Sequence, residues 1–269
     1  MNKIKTFKPT TSTATKTKLA MAIAAAVMAT GLPTTVFSQQ LEEVLVTATK
    51  RSESVQDVPL AITAFSGDFT KSVNLNDVKD LVSFTPGITG NSQDSFIDAI
   101  SVRGIRTQDF GVGGDPSAAF FKNDLYEGRN GSAVTSLYDI ERSEVLRGPQ
   151  GFLFGRNSIG GAISIHTQKA DIEGGNSGYV DLDVAEGGRA AFEGAINIPV
   201  NDNFAMRLAG YHSEEDGSIE NQFNGEDLAG HDKSALRWST TFESEKLHID
   251  TLVEFEDREG TGSLYRAAE

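Results

Sequence analysis

From about residue 174, apolar and polar residues alternate along the chain. The apolar positions form five groups: Val180, Leu182 and Val184; Phe192, Ile196 and Ile198; Phe204, Met206 and Leu208; Leu236, Trp238 and Phe242; and Leu247, Ile249, Val253 and Phe255. Successive side chains of a strand point to opposite faces, so the pattern predicts an up-and-down meander of five strands, each with one charge-free face. At about ten residues, each strand is long enough to cross a bilayer when tilted. A soluble antiparallel sheet also has one dry face and is the alternative.

The connections between these strands differ in length. Residues 199–203 and 243–246 are short, whereas residues 213–233 are long, polar and acidic. Outer-membrane barrels alternate short periplasmic turns with longer outward loops, and this order fits that pattern. The very short connection at residues 186–188 is an exception.

The middle of the chain has a different pattern. An apolar strand is predicted at residues 58–65, and a helix capped by Asn76 at residues 77–84. Four further short apolar runs follow at residues 99–103, 118–121, 144–147 and 161–165. Gly, Pro, Asn or Asp bounds each run, so this region is expected to be a small α+β domain.

The N-terminus has the layout of an export signal. Its basic leader contains Lys3, Lys5, Lys8, Lys16 and Lys18. An apolar run at residues 19–29 follows, and Val36 and Ser38 fit a cleavage site before residue 39. The run is too short to span a bilayer. The sequence therefore predicts a cleaved signal peptide at residues 1–38; an uncleaved anchor or amphipathic helix is the alternative.

Directly after this signal, residues 41–49 form a β-branched, apolar strand with an acidic start. Such a strand at a free mature N-terminus is suited to adding itself to a sheet of another protein. We call residues 43–48 the coupling segment. The alternative is that it forms the first strand of the following domain.

Composition narrows the possible chemistry. The 269 residues include 38 acidic and 24 basic side chains, for a formal net charge of −14, and loss of the lysine-rich leader makes the chain more acidic. Nucleic acid is therefore not an expected partner. With no cysteine, the chain has neither disulfides nor thiolate chemistry. The four histidines have no metal-pair spacing, and Gly160-Gly161 lacks the Lys and Ser/Thr of a phosphate loop. We expect no enzyme activity, no cofactor and no metal site.

Several motifs occur in the order of one known family. They are Glu42-Glu43-Val44-Leu45-Val46-Thr47-Ala48-Thr49, Asp57-Val58-Pro59-Leu60-Ala61-Ile62-Thr63, Thr85-Pro86-Gly87-Ile88, Ser101-Val102-Arg103-Gly104-Ile105, Asp139-Ile140-Glu141-Arg142 and the long run at residues 144–163. Together they resemble the N-terminal third of a TonB-dependent outer-membrane receptor. The match covers residues 41–168 by motif and the remainder by strand pattern alone.

The resemblance implies a fold and a domain order. It implies a signal peptide at residues 1–38, the TonB box and a linker at 39–50, and a plug domain at 51–170. The start of an all-β membrane barrel, with about five strands, would occupy residues 171–269. Family barrels have about 22 strands, so the chain is expected to be a truncated part of a longer protein in the outer membrane.

The resemblance also implies roles for particular residues. The residues expected to bind TonB are Glu43, Val44, Leu45, Val46, Thr47 and Ala48. The plug-motif residues are Arg103, Gly104, Arg147, Gly148, Pro149, Gly151, Gly155, Gly160 and Gly161. The residues expected to sense ligand are Phe96, Gln108, Asp109 and Phe110. The implied function is TonB-dependent transport of a scarce small molecule, most often a ferric siderophore, across the outer membrane lipid. A soluble periplasmic plug-like binding module without transport is the alternative.

Two local expectations concern the plug. Its charges are expected to make weak contacts, of about 0 to 1 kcal/mol each, with barrel residues such as Glu193 or Glu254. These plug charges are Arg103, Arg106, Glu141, Arg142, Glu144, Arg147 and Arg156. Where the family usually has Tyr-Val-Asp-Gly-Val, this chain has residues 121–126 without glycine. Asn123 or Asp124 would then have to adopt the positive φ of a tight turn.

Overall fold

The structure is a computed structural model that describes residues 45–75, 77–90, 100–107, 114–128, 135–217, 219–221, 225, 227–228 and 230–260. These residues belong to one structural unit, Glu43–Glu269. Several predictions lie outside the described residues: the signal peptide, Glu43, Val44, Asn76, Phe96, Gln108, Asp109 and Phe110. Within the described ranges, no helix has the length and apolar character needed to span a membrane.

The region predicted as the plug domain, residues 51–170, is called the plug below. It is built on a five-stranded mixed sheet. Its strands are β3 (Ile62–Ser66), β6 (Ala118–Lys122), β7 (Leu125–Glu127), β8 (Ile140–Arg147) and β9 (Gly161–Thr167), in the spatial order β3-β8-β9-β6-β7. Only β6 and β9 run parallel. Two short ladders accompany the sheet: β1 (Leu45–Val46) with β2 (Glu53–Ser54), and β4 (Ile88–Thr89) with β5 (Ser101–Val102).

In the described part of the plug, three short helices accompany the sheet. They are α1 (Gly67–Ser72), α2 (Leu81–Phe84), which follows a 3-10 turn at Val78–Asp80, and α3 (Gly151–Phe154). The strand predicted at residues 58–65 continues to Ser66, and the Ser66 side chain caps α1 by accepting from Phe69 N–H. The predicted helix at residues 77–84 is a 3-10 turn followed by four α-helical residues.

Both faces of the plug sheet are covered, because neighbouring residues of a strand point to opposite sides. On one face, Phe120, Val145 and Ile163 pack with Val78 and Leu81 of the helical region. On the other face, the cluster consists of Phe121, Leu146 and Ala162 with Phe154 of α3, together with Val46, Ala48 and Val58 from the N-terminal stretch. The N-terminal stretch is therefore part of the plug's packing.

The tight turn between β6 and β7 keeps its geometry without glycine. Asn123 and Asp124 have φ values of 50° and 65°, so both adopt the positive φ that the sequence required of this turn. The side chain of Asn123 also accepts hydrogen bonds from Thr167 N–H and Oγ1, at 2.9 and 3.1 Å. These bonds attach the turn to the end of β9.

Five long antiparallel strands follow the plug, as predicted. They are β10 (Ser177–Ala185), β11 (Arg189–Asn201), β12 (Phe204–Glu215), β15 (His231–Ser244) and β16 (Leu247–Gly260), paired in that order. The predicted loop at residues 213–233 is shorter than expected, because β12 and β15 extend into it. It also contains a small ladder of β13 (Ile219–Glu220) and β14 (Asp227–Leu228).

The two faces of the meander have different surroundings. On β10, Val180, Leu182 and Val184 are 70%, 71% and 82% exposed. On β15, by contrast, Arg237 is buried between the exposed Leu236 and Trp238. The apolar face is thus free to meet lipid, and the polar face packs on the plug.

Asp139, just before β8, is the centre of the contact between plug and meander. Its carboxylate accepts from Arg207 Nε at 2.8 Å and from Arg237 Nη2 at 3.2 Å. Arg237 also donates to the main-chain oxygens of Tyr138 and Asp139, and its guanidinium lies over the Tyr138 ring. Burial alone would raise the pKa of Asp139, but the hydrogen bonds and charges of the two arginines hold this pKa below its ordinary value.

Other charged contacts surround this centre. Asp77 of the plug pairs with Lys233 at 3.1 Å and Arg258 at 3.0 Å. Elsewhere the carboxylate belongs to the meander and the donors to the plug. Glu254 of the meander accepts from Tyr138 Oη at 2.6 Å and from Lys122 Nζ at 2.7 Å. The contact thus contains plug carboxylates facing meander cations and meander carboxylates facing plug donors.

The sequence analysis predicted which charged residues of the plug would meet the meander, and this prediction was partly wrong. Glu193 and Glu254 do meet the plug, but Glu193 accepts from Asp139 N–H at 2.9 Å and lies 3.4 Å from Lys71. The predicted plug arginines instead bond within the plug: Arg142 with Glu141 and Glu144, Arg147 with the Pro86 carbonyl, and Arg156 with Asp115. The contacts are also not weak surface pairs, because the Asp139 and Arg237 side chains are each 1% exposed.

Gly161 allows the close approach of β9 to β8. A Cβ at this position would lie 2.2 Å from the Leu146 carbonyl oxygen, whereas one at Gly151 would meet nothing within 4 Å. We expect Gly161→Ala to destabilise the plug by about 2 kcal/mol through overpacking. Gly151→Ala, the matched control, should be neutral or slightly stabilising. The measurement is the urea concentration at which the plug region of the purified full-length protein becomes protease-sensitive; equal midpoints would contradict the assignment.

Removing the Asp139 charge should loosen the plug from the meander. Asp139→Asn leaves two cations poorly compensated in a buried contact, and we expect it to lower stability by about 3 kcal/mol. The matched control Asp115→Asn, in an exposed pair with Arg156, should have little effect. Because its folded pKa is lowered, Asp139 contributes fully above its ordinary value of 3.8 and less as the pH falls below it. Unfolding of the Asn variant should lack this part of the acid dependence.

Candidate functional site

The described part of the coupling segment is a short strand folded back on the plug. Leu45 pairs with Ser54 and Val46 with Glu53 in the antiparallel ladder of β1 and β2. The chain reverses after Thr47, whose carbonyl accepts from Lys50 N–H at 2.8 Å, and Lys50 has a φ of 62°. In the described ranges, β2 is the only strand that pairs with β1.

Side chains of the described part of the segment differ in exposure. Leu45 is 51% exposed, whereas Val46 and Ala48 are completely buried. The two buried residues pack into the cluster formed by Phe121, Leu146 and Phe154. Burying a valine side chain contributes about 1.5 to 2 kcal/mol, so this contact is moderate and can be reversed.

Glu144 of β8 provides a polar contact for the same segment. Its Oε1 accepts from Thr47 N–H at 2.8 Å and from Thr47 Oγ1 at 3.2 Å. Arg142, two residues earlier on the same strand face, donates from Nε to this oxygen at 2.9 Å and from Nη2 to Thr47 Oγ1 at 3.2 Å. The segment is therefore attached through both its main chain and its threonine hydroxyl.

His166 of β9 lies on the other side of this group. Its Nε2 is 3.4 Å from Thr47 Oγ1 and 3.6 Å from Glu144 Oε1. Burial, together with the charge of Arg142, lowers the pKa of His166 below its ordinary value of 6.5. The imidazole is therefore neutral at pH 7, and Arg142 is the cation that faces Glu144.

Lys50 provides a further contact at the end of the segment. Its Nζ lies 4.6 Å from the Phe154 ring centroid and 5.5 Å from that of Phe121. It is also 3.5 Å from Asp124 in the turn between β6 and β7. Lys50 and Asp124 are substantially exposed, so their ion pair is weak.

The sequence predicted a strand suited to joining a sheet of another protein, with the first strand of the following domain as the alternative, and the described residues 45–48 are packed on the plug. It also assigned Glu144 to the barrel contact, and the structure turns this side chain towards Thr47. One signal was present: Arg142, Glu144 and Leu146 alternate along β8, so both charges share a face with a core residue. A charged pair on a core face indicates a polar partner across from it.

The plug-motif residues gather where β8 connects through α3 to β9. Gly148 has a φ of 104° and its N–H donates to the Gly160 carbonyl at 2.7 Å. Gly104 and Gly155 also have positive φ, and Pro149 and Gly151 lie between Gly148 and the body of α3. Arg103 lies close to Gly148, since a Cβ there would be 3.2 Å from Arg103 Nη1. These residues shape a turn and contribute no reactive group.

In the described ranges, no group of three or more His, Asp or Glu side chains is arranged to hold a metal ion. The predicted ligand-sensing residues lie outside these ranges. The geometry of the described site is therefore that of a docked strand.

Comparison with known proteins identifies the plug. The family model for the TonB-dependent Receptor Plug Domain matches residues 54–162. The ferripyoverdine receptor of Pseudomonas aeruginosa is 28% identical over 163 residues, covering 61% of this chain and 19% of that protein. The pesticin receptor of Yersinia pestis is 28% identical over 206 residues, covering 74% of this chain and 29% of that protein. The chain thus spans less than a third of the length of these two relatives.

Solved structures agree with the fold described above. The ferric yersiniabactin uptake receptor of Yersinia pestis superposes with a TM-score of 0.68 at 23% identity, over 76% of this chain and 32% of that one. The pyoverdine outer membrane receptor of Pseudomonas aeruginosa gives 0.67 at 17% identity, over 80% and 30%. At this identity the likeness is one of fold, and it extends beyond the plug into the meander. Residues 54–162 therefore match the plug domain of TonB-dependent receptors, and the fold of this chain resembles that of outer-membrane receptors from the plug into the meander.

Proposed function

We propose that the full-length protein imports a ferric siderophore across the outer membrane, with energy supplied through TonB. The names of several relatives support this cargo: a ferripyoverdine receptor, a ferrichrome outer membrane transporter and a ferric enterobactin receptor. The structure supports the membrane location, because the exposed apolar face of the meander would be unfavourable in water. This exposed face also argues against a soluble periplasmic module.

The observation that carries the proposal is the docked strand at the start of the plug. Pairing with a strand of TonB would involve Glu43, Val44, Leu45, Val46, Thr47 and Ala48, after the described residues Leu45 to Ala48 leave the plug. In strand addition, main-chain hydrogen bonds provide the grip and alternate side chains provide the fit. Leu45–Val46 is already extended, and it is held by one two-residue ladder and one side of the plug.

Ligand would be sensed at the opposite, outward surface of the plug. We propose that Phe96, Gln108, Asp109 and Phe110 contribute to this surface, since aromatic rings stack well on flat chelate groups. Occupation of this surface would then favour release of the coupling segment. Arg103, Arg147 and the motif glycines would maintain the shape of the plug between the two ends.

The cargo can be tested directly with the full-length receptor. Equilibrium binding is measured with a panel of ferric siderophores, ferric citrate, haem, cobalamin and oligosaccharides. We expect at least one ferric siderophore to bind with submicromolar affinity and to be taken up by cells in a TonB-dependent manner. Binding confined to cobalamin or oligosaccharides would contradict the proposed cargo and leave the family assignment intact.

The grip on TonB can be tested at Val46. Val46→Pro removes a main-chain N–H from the strand, and we expect it to reduce uptake to background while ligand binding stays normal. Val46→Ala is the matched control, because it keeps the N–H and removes only side-chain atoms. Uptake by the Ala variant should remain substantial. Normal uptake by the Pro variant would refute the role of this strand.

A further inference from the structure

The buried carboxylate of Glu144 is a group that the transport function does not by itself explain. Its side chain is 1% exposed, on a strand in the middle of the plug sheet. A buried carboxylate is costly unless hydrogen bonds and an opposite charge compensate it. The described contacts of Glu144 therefore show what this compensation depends on.

The compensation comes largely from the coupling segment. Of the three hydrogen bonds that Glu144 Oε1 accepts among the described residues, two come from Thr47 and one from Arg142. Arg142 is shared, because it also pairs with Glu141. His166 supplies no charge at pH 7, since its pKa is lowered. Departure of the segment therefore removes most of the hydrogen bonding of Glu144.

The same contact fixes the register of the segment on the plug. The apolar cluster accepts Val46 and Ala48, but apolar packing alone is not directional. A slip of the β1–β2 pairing by one residue would turn Leu45 towards the cluster and Val46 away from it. The bond from Thr47 N–H to Glu144 is possible in the observed register because Thr47 then lies beside β8.

We propose that Glu144 is a positioning residue that holds the coupling segment on the plug and sets how readily the segment becomes available to its partner. The proposal rests on the function proposed above, in which the partner is TonB. Weakening the Glu144 contact favours the released segment before any ligand binds. The apolar contacts of Val46 and Ala48 then remain as the residual attachment.

The test compares two carboxylates that contact the same arginine. In the full-length receptor, Glu144→Gln removes the charge that accepts from Thr47, whereas Glu141→Gln removes a charge that contacts Arg142 from the surface. A nitroxide at Leu45→Cys reports the mobility of the segment, and residues 1–269 contain no cysteine that would compete for the label. The affinity of the purified periplasmic part of TonB for ligand-free receptor is measured in parallel.

We expect Glu144→Gln to increase the mobile fraction of the label and to tighten TonB binding about tenfold without ligand, as for loss of one charged hydrogen bond. Glu141→Gln should match the wild type in both measurements. Ligand affinity should be unchanged in both variants, and thermal unfolding should show both folded at the temperature of the mobility measurement, which separates release of the segment from unfolding of the plug.

A variant in the segment itself tests the same contact without changing a buried residue of the plug sheet. Thr47→Val removes the hydroxyl bond but keeps the N–H, and we expect a smaller increase in label mobility, of about twofold. In combination with Glu144→Gln it should add less than its own separate effect, because the two changes share the bond between Thr47 Oγ1 and residue 144. Additive effects of the two changes would overturn the proposal.

Two failures are distinguishable. If label mobility in Glu144→Gln equals that of wild type and Glu141→Gln, the docking role of Glu144 is refuted, whatever TonB does. If the label is released as expected but no variant binds TonB, the docking role stands and the proposed function fails.

Discussion

The constraint on which this structure depends is that buried charges between plug and meander must be paired. The meander has to present an apolar face to lipid, so its polar face is turned to the plug. There, Lys233, Arg237 and Asn197 are almost completely buried. Asp77 and Asp139 supply the matching carboxylates, and breaking such a buried pair is far more costly than breaking a surface pair. The plug is thus fixed by a small number of strong polar contacts that define its position on the strands.

A second constraint acts on the other side of the plug. Its sheet has two apolar faces, and the 3-10 turn at Val78–Asp80 and helix α2 cover only one of them. The N-terminal stretch covers the other, through Val46, Ala48 and Val58. The segment that must leave to engage a partner therefore also shields Phe121 and Leu146 from water. Release exposes a modest apolar area, which keeps the docked state preferred without making departure prohibitive.

Features that depend on local pattern alone were predictable from the sequence. The five meander strands and their two faces belong to this group, because a period of two is a property of each strand alone. Helix α1 was missed because Ser66 and Gly67 also fit a turn, and the capping role of Ser66 emerges only once the helix forms. The partners of Arg142, Arg147 and Arg156 could not be predicted, because pairing depends on which strands become neighbours. The docked state of residues 45–48 was missed for the same reason, since its contacts with Glu144 span 97 residues.

The energies of the contacts near the turn between β6 and β7 show which of them hold the coupling segment on the plug. Asp124 adopts a positive φ that a glycine would adopt freely, at a cost of up to about 1 kcal/mol. Its ion pair with Lys50 joins side chains that are 65% and 42% exposed, and an exposed pair contributes about 0 to 1 kcal/mol. This exposed pair therefore adds little to the attachment of the segment. Attachment of the segment must therefore come from the buried contacts, namely the apolar cluster around Val46 and the carboxylate of Glu144.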